Sequence, residues 1–451
     1  MSYTNIRTIP RAAALLLAGW LLSPTALAVP SYAQQTGLPC TSCHTIAFGP
    51  GLTPFGQDFK LNGYVWNGGK SDLPPVAAMV ISSFTHTEAA QDGGAAPHFS
   101  PNDNGAVDQT SLFYAGRILE HLGAFAQFTY DGVAQRLHWD NLDLRYADKG
   151  KLGGTELVWG ATLNNNPTVQ DLWNTTPAWS YPYVSSALAP TPAAAPLIEG
   201  SLAQEVYGLT AYTMIANHYY IEGGAYRSLP DRALSVLGVG AGSVNRFHGV
   251  APYWRLAYRF KQGPSYGSIG AFGIDVHQYP GSDPSAGTDR YADLGFDAVY
   301  GYTRGRHGFL LQATQVHEVQ KLPASLATGV VGQGSNELNS TRINAQYTWS
   351  QTYAFSAALF RVYGGSDPTL YAPGAISGSA SGSPDSRGYI TQVEYVPFGK
   401  ARSWLRPWVN LRLGLQYVYY TEFNGGGANY DGSGRSAHDN NTLYLFAWLA
   451  I

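Results

Sequence analysis

The stretch Val409-Asn410-Leu411-Arg412-Leu413-Gly414-Leu415-Gln416-Tyr417 places an apolar residue at every second position, with Asn410, Arg412, Gly414 and Gln416 between them. Successive side chains of a β-strand point to opposite faces, so this segment is predicted to be a strand with one apolar and one polar face. The pattern recurs along the chain, in 123–131, 141–146 and 342–349. The sequence therefore predicts an all-β fold.

Alternation alone leaves two kinds of fold open. A strand with one apolar and one polar face fits a secreted soluble sandwich or a barrel embedded in lipid. The composition favours the barrel, because charged residues make up 13% of the chain, about half the usual share. Tyrosine (31) and glycine (52) are abundant. The mature part of the chain contains no run of 18 consecutive apolar residues, so no membrane-spanning helix is predicted. The net charge of −3 gives no indication of nucleic-acid binding.

The lengths of the connections point the same way. From Val76 onward the chain divides into about 16 alternating segments of roughly ten residues, the length of a tilted strand that crosses a bilayer. Short links are expected near His121, Lys151, Ala216, Gln262, Arg304, Gln351 and Lys400, and long ones over 87–108, 164–202, 228–249, 278–288, 318–338, 363–387 and 423–440. Short periplasmic turns and long external loops are typical of outer-membrane barrels. Residues 76–451 are therefore predicted to form a transmembrane antiparallel β-barrel in the bacterial outer membrane.

The amino terminus reads as an export signal. Arg7 and Arg11 precede the apolar stretch 12–22, and Ala26-Leu27-Ala28 is a small-residue cleavage site. The apolar stretch is too short to span a bilayer of ~30 Å. Residues 1–28 are predicted to be a cleaved secretory signal, so the mature chain begins near Val29, outside the cytoplasm.

Shortly after this signal stands Cys40-Thr41-Ser42-Cys43-His44, which contains the only two cysteines of the chain. C-x-x-C-H is the attachment motif of c-type haem. The two thiols would form thioethers with the haem vinyl groups, and His44 would be the axial ligand of the iron. A redox-active or structural C-x-x-C pair and a zinc site are the alternatives, although no second ligand pair follows for zinc.

The haem motif lies in a segment, 29–75, that is too small to build a core of its own. A barrel of about 16 strands has a polar interior wide enough to hold a plug. We therefore expect the monohaem segment 29–75 to enter the lumen from the periplasmic end and to shelter one covalent haem c there. Such an assembly would carry electrons across the membrane.

Four runs of the chain stand out: Tyr32-Ala33-Gln34-Gln35-Thr36-Gly37-Leu38-Pro39 with the motif, Leu52-Thr53-Pro54-Phe55-Gly56, Lys60-Leu61-Asn62-Gly63-Tyr64 and Asn164-Asn165-Asn166-Pro167-Thr168-Val169-Gln170-Asp171-Leu172-Trp173. In these runs the chain resembles the fused monohaem cytochrome–porins of outer membranes, whose best-known members are iron(II) oxidases. The resemblance is detailed over 31–66 and 163–183 and architectural elsewhere. It implies haem attachment at Cys40 and Cys43, iron ligation by His44 and electron entry from outside the cell. It does not establish that iron(II) is the substrate.

The sequence does not identify the second axial ligand of the iron. Met79 shares the parity of Ile81, Ser83 and Thr85, which places it toward the lumen and makes it the first candidate, since a thioether ligand raises the haem potential. Met79 could equally fill a gap in the strand. The lesser candidates are Met214, His86, His98, His121 and His138.

The longest loop, 163–202, also has two interpretations. It either folds into the barrel and covers the haem or packs on its own aromatic residues at the surface.

Three functions follow from these features. The first is electron transfer from an extracellular reductant, for which iron(II) is one candidate, to a periplasmic c-type cytochrome or another acceptor; iron(II) oxidase activity stays an open question. The second is a porin-like solute channel that the haem segment gates or stabilises. The third is a haem sensor or peroxidase. The expected partners are outer-membrane lipid, a periplasmic c-type cytochrome or other electron acceptor, and an extracellular reductant such as iron(II). No nucleic-acid partner is expected.

Overall fold

Sixteen antiparallel strands close into a barrel in this computed structural model, which describes residues 31–68, 75–240, 246–404 and 408–451. Each strand pairs with the next, and the last pairs with the first through the register Met79↔Ala450 to Thr87↔Thr442. The predicted antiparallel all-β barrel and its strand number are thus confirmed. The predicted signal, 1–28, lies outside the described residues.

The strands run from nine to 17 residues. Their bounds are β1 Val76–Thr87, β2 Asn104–Leu119, β3 Leu122–Asp131, β4 Arg136–Leu152, β5 Thr155–Asn164, β6 Val206–Ile215, β7 Tyr219–Ser228, β8 Ala251–Gln262, β9 Ser265–Gln278, β10 Asp289–Arg304, β11 His307–Lys321, β12 Ser335–Trp349, β13 Tyr353–Gly364, β14 Ser386–Tyr395, β15 Asn410–Glu422 and β16 Thr442–Ala450.

The polar faces of the strands point inward and the apolar faces point outward. In β15, Asn410, Arg412 and Gln416 are buried inside the barrel, whereas Leu413 and Leu415 are 39% and 44% exposed on its outer surface. A water-soluble sandwich would bury the apolar face instead. An apolar exterior around a polar interior is the surface that a barrel presents to lipid.

Aromatic side chains concentrate on the outer surface near the short turns. Each of these rings is at least a third exposed, and several touch one another: Tyr146, Trp159, Tyr219, Tyr258, Tyr347, Trp349, Tyr353 and Tyr395. Aromatic girdles of this kind lie at the two membrane interfaces of outer-membrane barrels. The turns beside them are tight. Gly153 and Gly154 join β4 to β5 with φ of +54° and +85°, a conformation that favours glycine.

The connections alternate in length as the sequence predicts. One end of the barrel carries the short links 120–121, 153–154, 216–218, 263–264, 305–306 and 350–352, and the other carries 88–103, 165–205, 229–250, 279–288, 322–334, 365–385 and 423–441. The connection from β14 to β15 is longer than expected, and the one from β3 to β4 is short.

Within the described ranges, helices are few and short. They are α1 Ser31–Thr36, α2 Pro54–Leu61, α3 Asp231–Val236 and α4 Pro323–Ala327, with 3₁₀ turns at Cys40–Ser42, Pro177–Trp179, Pro280–Ser282, Pro284–Ala286 and Ala437–Asn440. Among the described residues, none of these helices has the length and apolar character that crossing a membrane requires.

The residues before β1 contact inward-facing side chains all around the short-turn end. Tyr64 donates to Asp143 on β4 at 2.6 Å, and Tyr212 on β6 donates to the Leu61 carbonyl at 2.7 Å. Further contacts come from Ala124 on β3, Arg259 on β8, Tyr266 on β9 and Arg412 on β15. Strands that are distant from one another in the sheet therefore hold this one segment.

The connection 165–205, which we call the luminal loop, packs against inward-facing strand residues. Gln170 donates to Glu222 at 3.0 Å, and the backbone N–H groups of Leu197 and Ile198 donate to Glu318 and Asp293 at 2.6 and 2.8 Å. The longest loop therefore folds into the barrel, which is the first of the two interpretations of its sequence.

Candidate functional site

The motif Cys40–His44 forms one tight turn. The N–H groups of Cys43 and His44 both donate to the Cys40 carbonyl, at 3.1 and 3.0 Å. This turn brings Cys40, Cys43 and His44 to one wall of a cavity of about 380 Å³.

The first turn of helix α2 packs against the motif and holds it in place. Thr53 caps the helix by accepting from the Gly56 N–H, and its hydroxyl donates to the Ser42 carbonyl at 2.6 Å. Gly56 packs so closely that a Cβ there would lie 2.3 Å from the Cys43 carbonyl oxygen. A residue without a side chain is required at this contact.

The barrel holds the same turn from the other side. Gln351, in the turn between β12 and β13, donates to the carbonyls of Thr41 and His44 at 3.1 and 2.9 Å. Asn410, at the start of β15, donates to Cys40 Sγ at 3.3 Å. These residues lie more than 300 positions after the motif, so only the closed barrel brings them to it.

The rest of the cavity wall is mainly apolar and comes from three parts of the chain. Beyond the motif, it includes Leu52 and Phe59 of the N-terminal segment, Phe113 and Phe125 of the barrel, and Trp179 and Tyr183 of the luminal loop. The loop therefore covers the cavity on the side away from the short turns.

Met79 also lines this cavity. It lies on the inward face of β1, is 6% exposed and packs with Ile81 and Phe113. Met214 is buried elsewhere, against Leu61 and Trp173. None of the candidate histidines is among the residues that line the cavity in the described parts of the chain; they are His86, His98, His121 and His138.

The cavity suits a haem by its size and its chemistry. Its volume falls within the range of small-molecule and cofactor sites, and its walls are mostly apolar. Burial lowers the pKa of His44 to about 4, so the imidazole is neutral at pH 7, which is its metal-binding form. Cys40 and Cys43 would carry the thioethers and His44 the iron. When bound, the haem would supply one-electron exchange between its ferric and ferrous states.

The Cys43 thiol does not have the lowered pKa of a reactive C-x-x-C cysteine. Burial raises the pKa of Cys43 to about 12, whereas reactive C-x-x-C thiols have lowered pKa values. The two cysteines, both described, form no disulfide. The described residues contain no group of three or more His, Cys, Asp or Glu side chains that could hold a metal ion.

Polar residues that the sequence reasoning did not single out also line the cavity. Gln109, Gln127, Asp140 and Asn141 form one corner, where Gln127 accepts from Asn141 at 3.2 Å. Alternation had placed Gln127 and Asn141 on polar faces, and their common corner follows from the pairing of β3 with β4. No periodic signal marks Lys60, which lies in α2 and reaches the cavity from the segment itself.

No protein-family model matches this chain, and no curated protein matches it. Its fold is similar to several solved outer-membrane proteins. OmpF of Salmonella typhi, in complex with daunomycin, is 13% identical with a TM-score of 0.48, over 83% of this chain and 97% of that one. The outer-membrane-expressed OmpT of Vibrio cholerae is 11% identical with a TM-score of 0.42, over 85% and 99%. An anion-selective porin from Comamonas acidovorans is 13% identical with a TM-score of 0.42, over 83% and 98%.

Proposed function

We propose that this protein is an outer-membrane electron-transfer cytochrome–porin. It carries electrons from an extracellular donor, for which iron(II) is one candidate, through a single c-type haem to a periplasmic acceptor such as a c-type cytochrome. The observation that carries the proposal is that Cys40, Cys43, His44 and Met79 line one apolar cavity enclosed by the barrel wall and the luminal loop.

The outer surface supports the location. Its apolar band and aromatic rings suit lipid, and in outer-membrane barrels the short turns face the periplasm. The motif contacts this short-turn end, since the Thr41 N–H donates to the Gly399 carbonyl and Gln351 holds the His44 carbonyl. The haem therefore lies near the periplasmic side, within reach of a periplasmic acceptor.

The contents of the lumen support electron transport over solute flow. The N-terminal segment makes hydrogen bonds to strands all around the short-turn end, and the luminal loop packs across the interior. The segment acts as a plug that excludes water from the haem. Electrons can cross an insulating wall of this kind through a buried redox centre, whereas hydrated solutes cannot.

The second axial position belongs in this proposal to Met79. A His/Met pair raises the potential of a haem, which suits an acceptor of electrons from a mild reductant. Its place on the inward face of β1, within the same cavity as His44, supports this assignment over the other methionine and the histidines.

The proposal is tested on protein purified from outer membranes. Its mass should exceed that of the processed chain by one haem, and its absorption spectrum should change reversibly on reduction. Cys40→Ala should abolish external electron transfer, whereas Ser42→Ala, in the same turn, should leave it unchanged. Normal electron transfer by the Cys40→Ala variant would contradict the proposal.

A porin-like solute channel is the second candidate, and the sixteen-stranded barrel with polar inward side chains favours it. Planar-bilayer recordings separate the two functions. The electron-transfer protein should conduct poorly because its lumen is filled, whereas stable ion conductance by the wild-type holoprotein would favour the channel.

A further inference from the structure

Lys60 is a buried lysine whose direct polar contacts are all with neutral groups. Its side chain, 5% exposed, donates to the Val169 carbonyl at 2.8 Å and to Asn174 Oδ1 at 3.0 Å, and Nζ lies 4.6 Å from the centre of the Trp179 ring. All of these acceptors are neutral. Among the described residues, the ion pairs within 4.0 Å include none with Lys60.

The nearby carboxylates make their close contacts with other groups, and Glu222 accepts from Thr210, Gln170 and Tyr220 at 2.6, 3.0 and 3.0 Å. Asp143 pairs with Arg145 at 2.8 Å, and Asp171 pairs with Arg255 at 3.0 Å. Among the described residues, no carboxylate therefore lies within 4.0 Å of the Lys60 Nζ, although Asp143, Asp171 and Glu222 are near enough to attract its charge. Burial, together with the neighbouring Arg145, lowers the pKa of Lys60 to about 7. Buried charges of this kind are retained in proteins mainly where an opposite charge meets them.

Lys60 lines the same cavity as the haem motif. In α2 it stands four residues after Gly56, whose backbone touches Cys43. Four helical residues span ~6 Å, so Lys60 lies about one helical turn from the residue that packs against the Cys43 carbonyl. Apart from His44, it is the one basic side chain among the described residues that line this cavity.

The polar corner of the cavity, formed by Gln109, Gln127, Asp140 and Asn141, contains no positively charged side chain. Its carboxylate, Asp140, already accepts from Thr129 at 2.9 Å and from Asn141 at 3.1 Å. A second carboxylate placed there would meet a like charge, whereas one placed at Lys60 would meet an opposite charge.

We propose that Lys60 holds a propionate carboxylate of the haem and so orients the cofactor in the cavity. This inference rests on the proposed function, since it requires a haem at Cys40 and Cys43. The cation then also favours the reduced state of the haem, because added negative charge is stabilised by a nearby positive one. Lys60 is a binding residue that sets the potential, in addition to its bonds to Val169 and Asn174.

The test compares purified holoproteins of the wild type, Lys60→Gln, Lys60→Met and Lys60→Arg. Glutamine keeps hydrogen-bond donors for Val169 and Asn174 and loses only the charge, so it guards against a loss of folding. Lys400→Met is the control, because it removes a cation from the same end of the barrel at a residue that does not line the cavity. Attached haem is measured by mass, the midpoint potential by spectroelectrochemical titration, and the propionate bending bands by resonance Raman spectroscopy.

We expect Lys60→Gln and Lys60→Met to lower the midpoint potential and to shift a propionate band, with Lys60→Arg restoring both. Lys400→Met should change neither. A Lys60→Gln holoprotein whose potential and propionate bands equal those of the control overturns this inference while the proposed function stands. Wild-type protein without added haem mass overturns both.

Discussion

Arg255 attaches the luminal loop to the barrel wall, and its removal is expected to open the lumen. On β8, Arg255 pairs at 3.0 Å with Asp171 of the loop and in bidentate fashion, at 2.9 and 3.0 Å, with Asp297 on β10. All three side chains are fully buried. Asp171 also accepts the backbone N–H groups of Trp173, Thr175 and Thr176, so the same carboxylate fixes the local fold of the loop.

Arg255→Met leaves two carboxylates facing each other in the interior. Removing one partner of a buried ion pair costs about 3–5 kcal/mol. If that cost falls on the attached state of the loop, the equilibrium between attached and detached loop shifts by roughly 10²- to 10⁴-fold. The loop should then leave the wall for much of the time.

Conductance of single proteins in planar bilayers measures this opening. We expect the wild type to conduct poorly and Arg255→Met to show frequent open events, together with faster proteolysis within 165–205. The control is Arg255→Met/Asp171→Asn/Asp297→Asn, which removes all three charges. Because uncharged replacements of buried ion networks are often neutral in stability, this variant should conduct as little as the wild type. An Arg255→Met variant that stays closed and resists proteolysis would refute the reasoning.

Three further predictions concern the haem cavity. Met79→Leu, nearly equal in volume, should lower the midpoint potential and change the spectrum of the holoprotein; an unchanged spectrum would make Met79 a packing residue. Gly56→Ala should lower the unfolding temperature of the holoprotein, because its Cβ would lie 2.3 Å from the Cys43 carbonyl oxygen, whereas Gly223→Ala, with no atom within 4 Å of its Cβ, should not. In the haemless Cys40→Ala/Cys43→Ala variant, the free energy of unfolding should rise by up to about 5 kcal/mol between pH 7 and pH ~10.4. The reason is that Lys60 binds its proton more weakly in the folded state than in the unfolded state. Adding Lys60→Met should abolish that rise, and a rise that persists would show that another group causes it.

The fold could be predicted because alternation is a local property. The alternation of Leu413 and Leu415 with polar neighbours predicts the two faces of β15. The lengths of the links indicate which end of the barrel carries the short turns. The connection from β14 to β15 was misjudged, because 396–409 contains no turn signal that distinguishes a short link from a longer one.

The cavity could be predicted only in part. The motif names Cys40, Cys43 and His44 directly, and parity placed Met79 toward the lumen. Gln351 and Asn410 reach the motif because the register of distant strands places them there, and the luminal loop supplies Trp179 without any periodic pattern. Lys60 could not be found from sequence, since its importance depends on which basic side chains the fold brings to the cavity.

The place of Asn410 and Gln351 against the motif constrains the order of maturation. Both residues follow the motif by more than 300 positions, and β1 pairs with β16, the last of the sixteen strands in chain order. Once that seam has closed, the thiols line a cavity of about 380 Å³ bounded by strand, segment and loop, which is too small for an attachment enzyme to enter. A porphyrin held as proposed would therefore be joined to Cys40 and Cys43 while the chain is still unfolded, and the barrel would then assemble around a cofactor that is already in place.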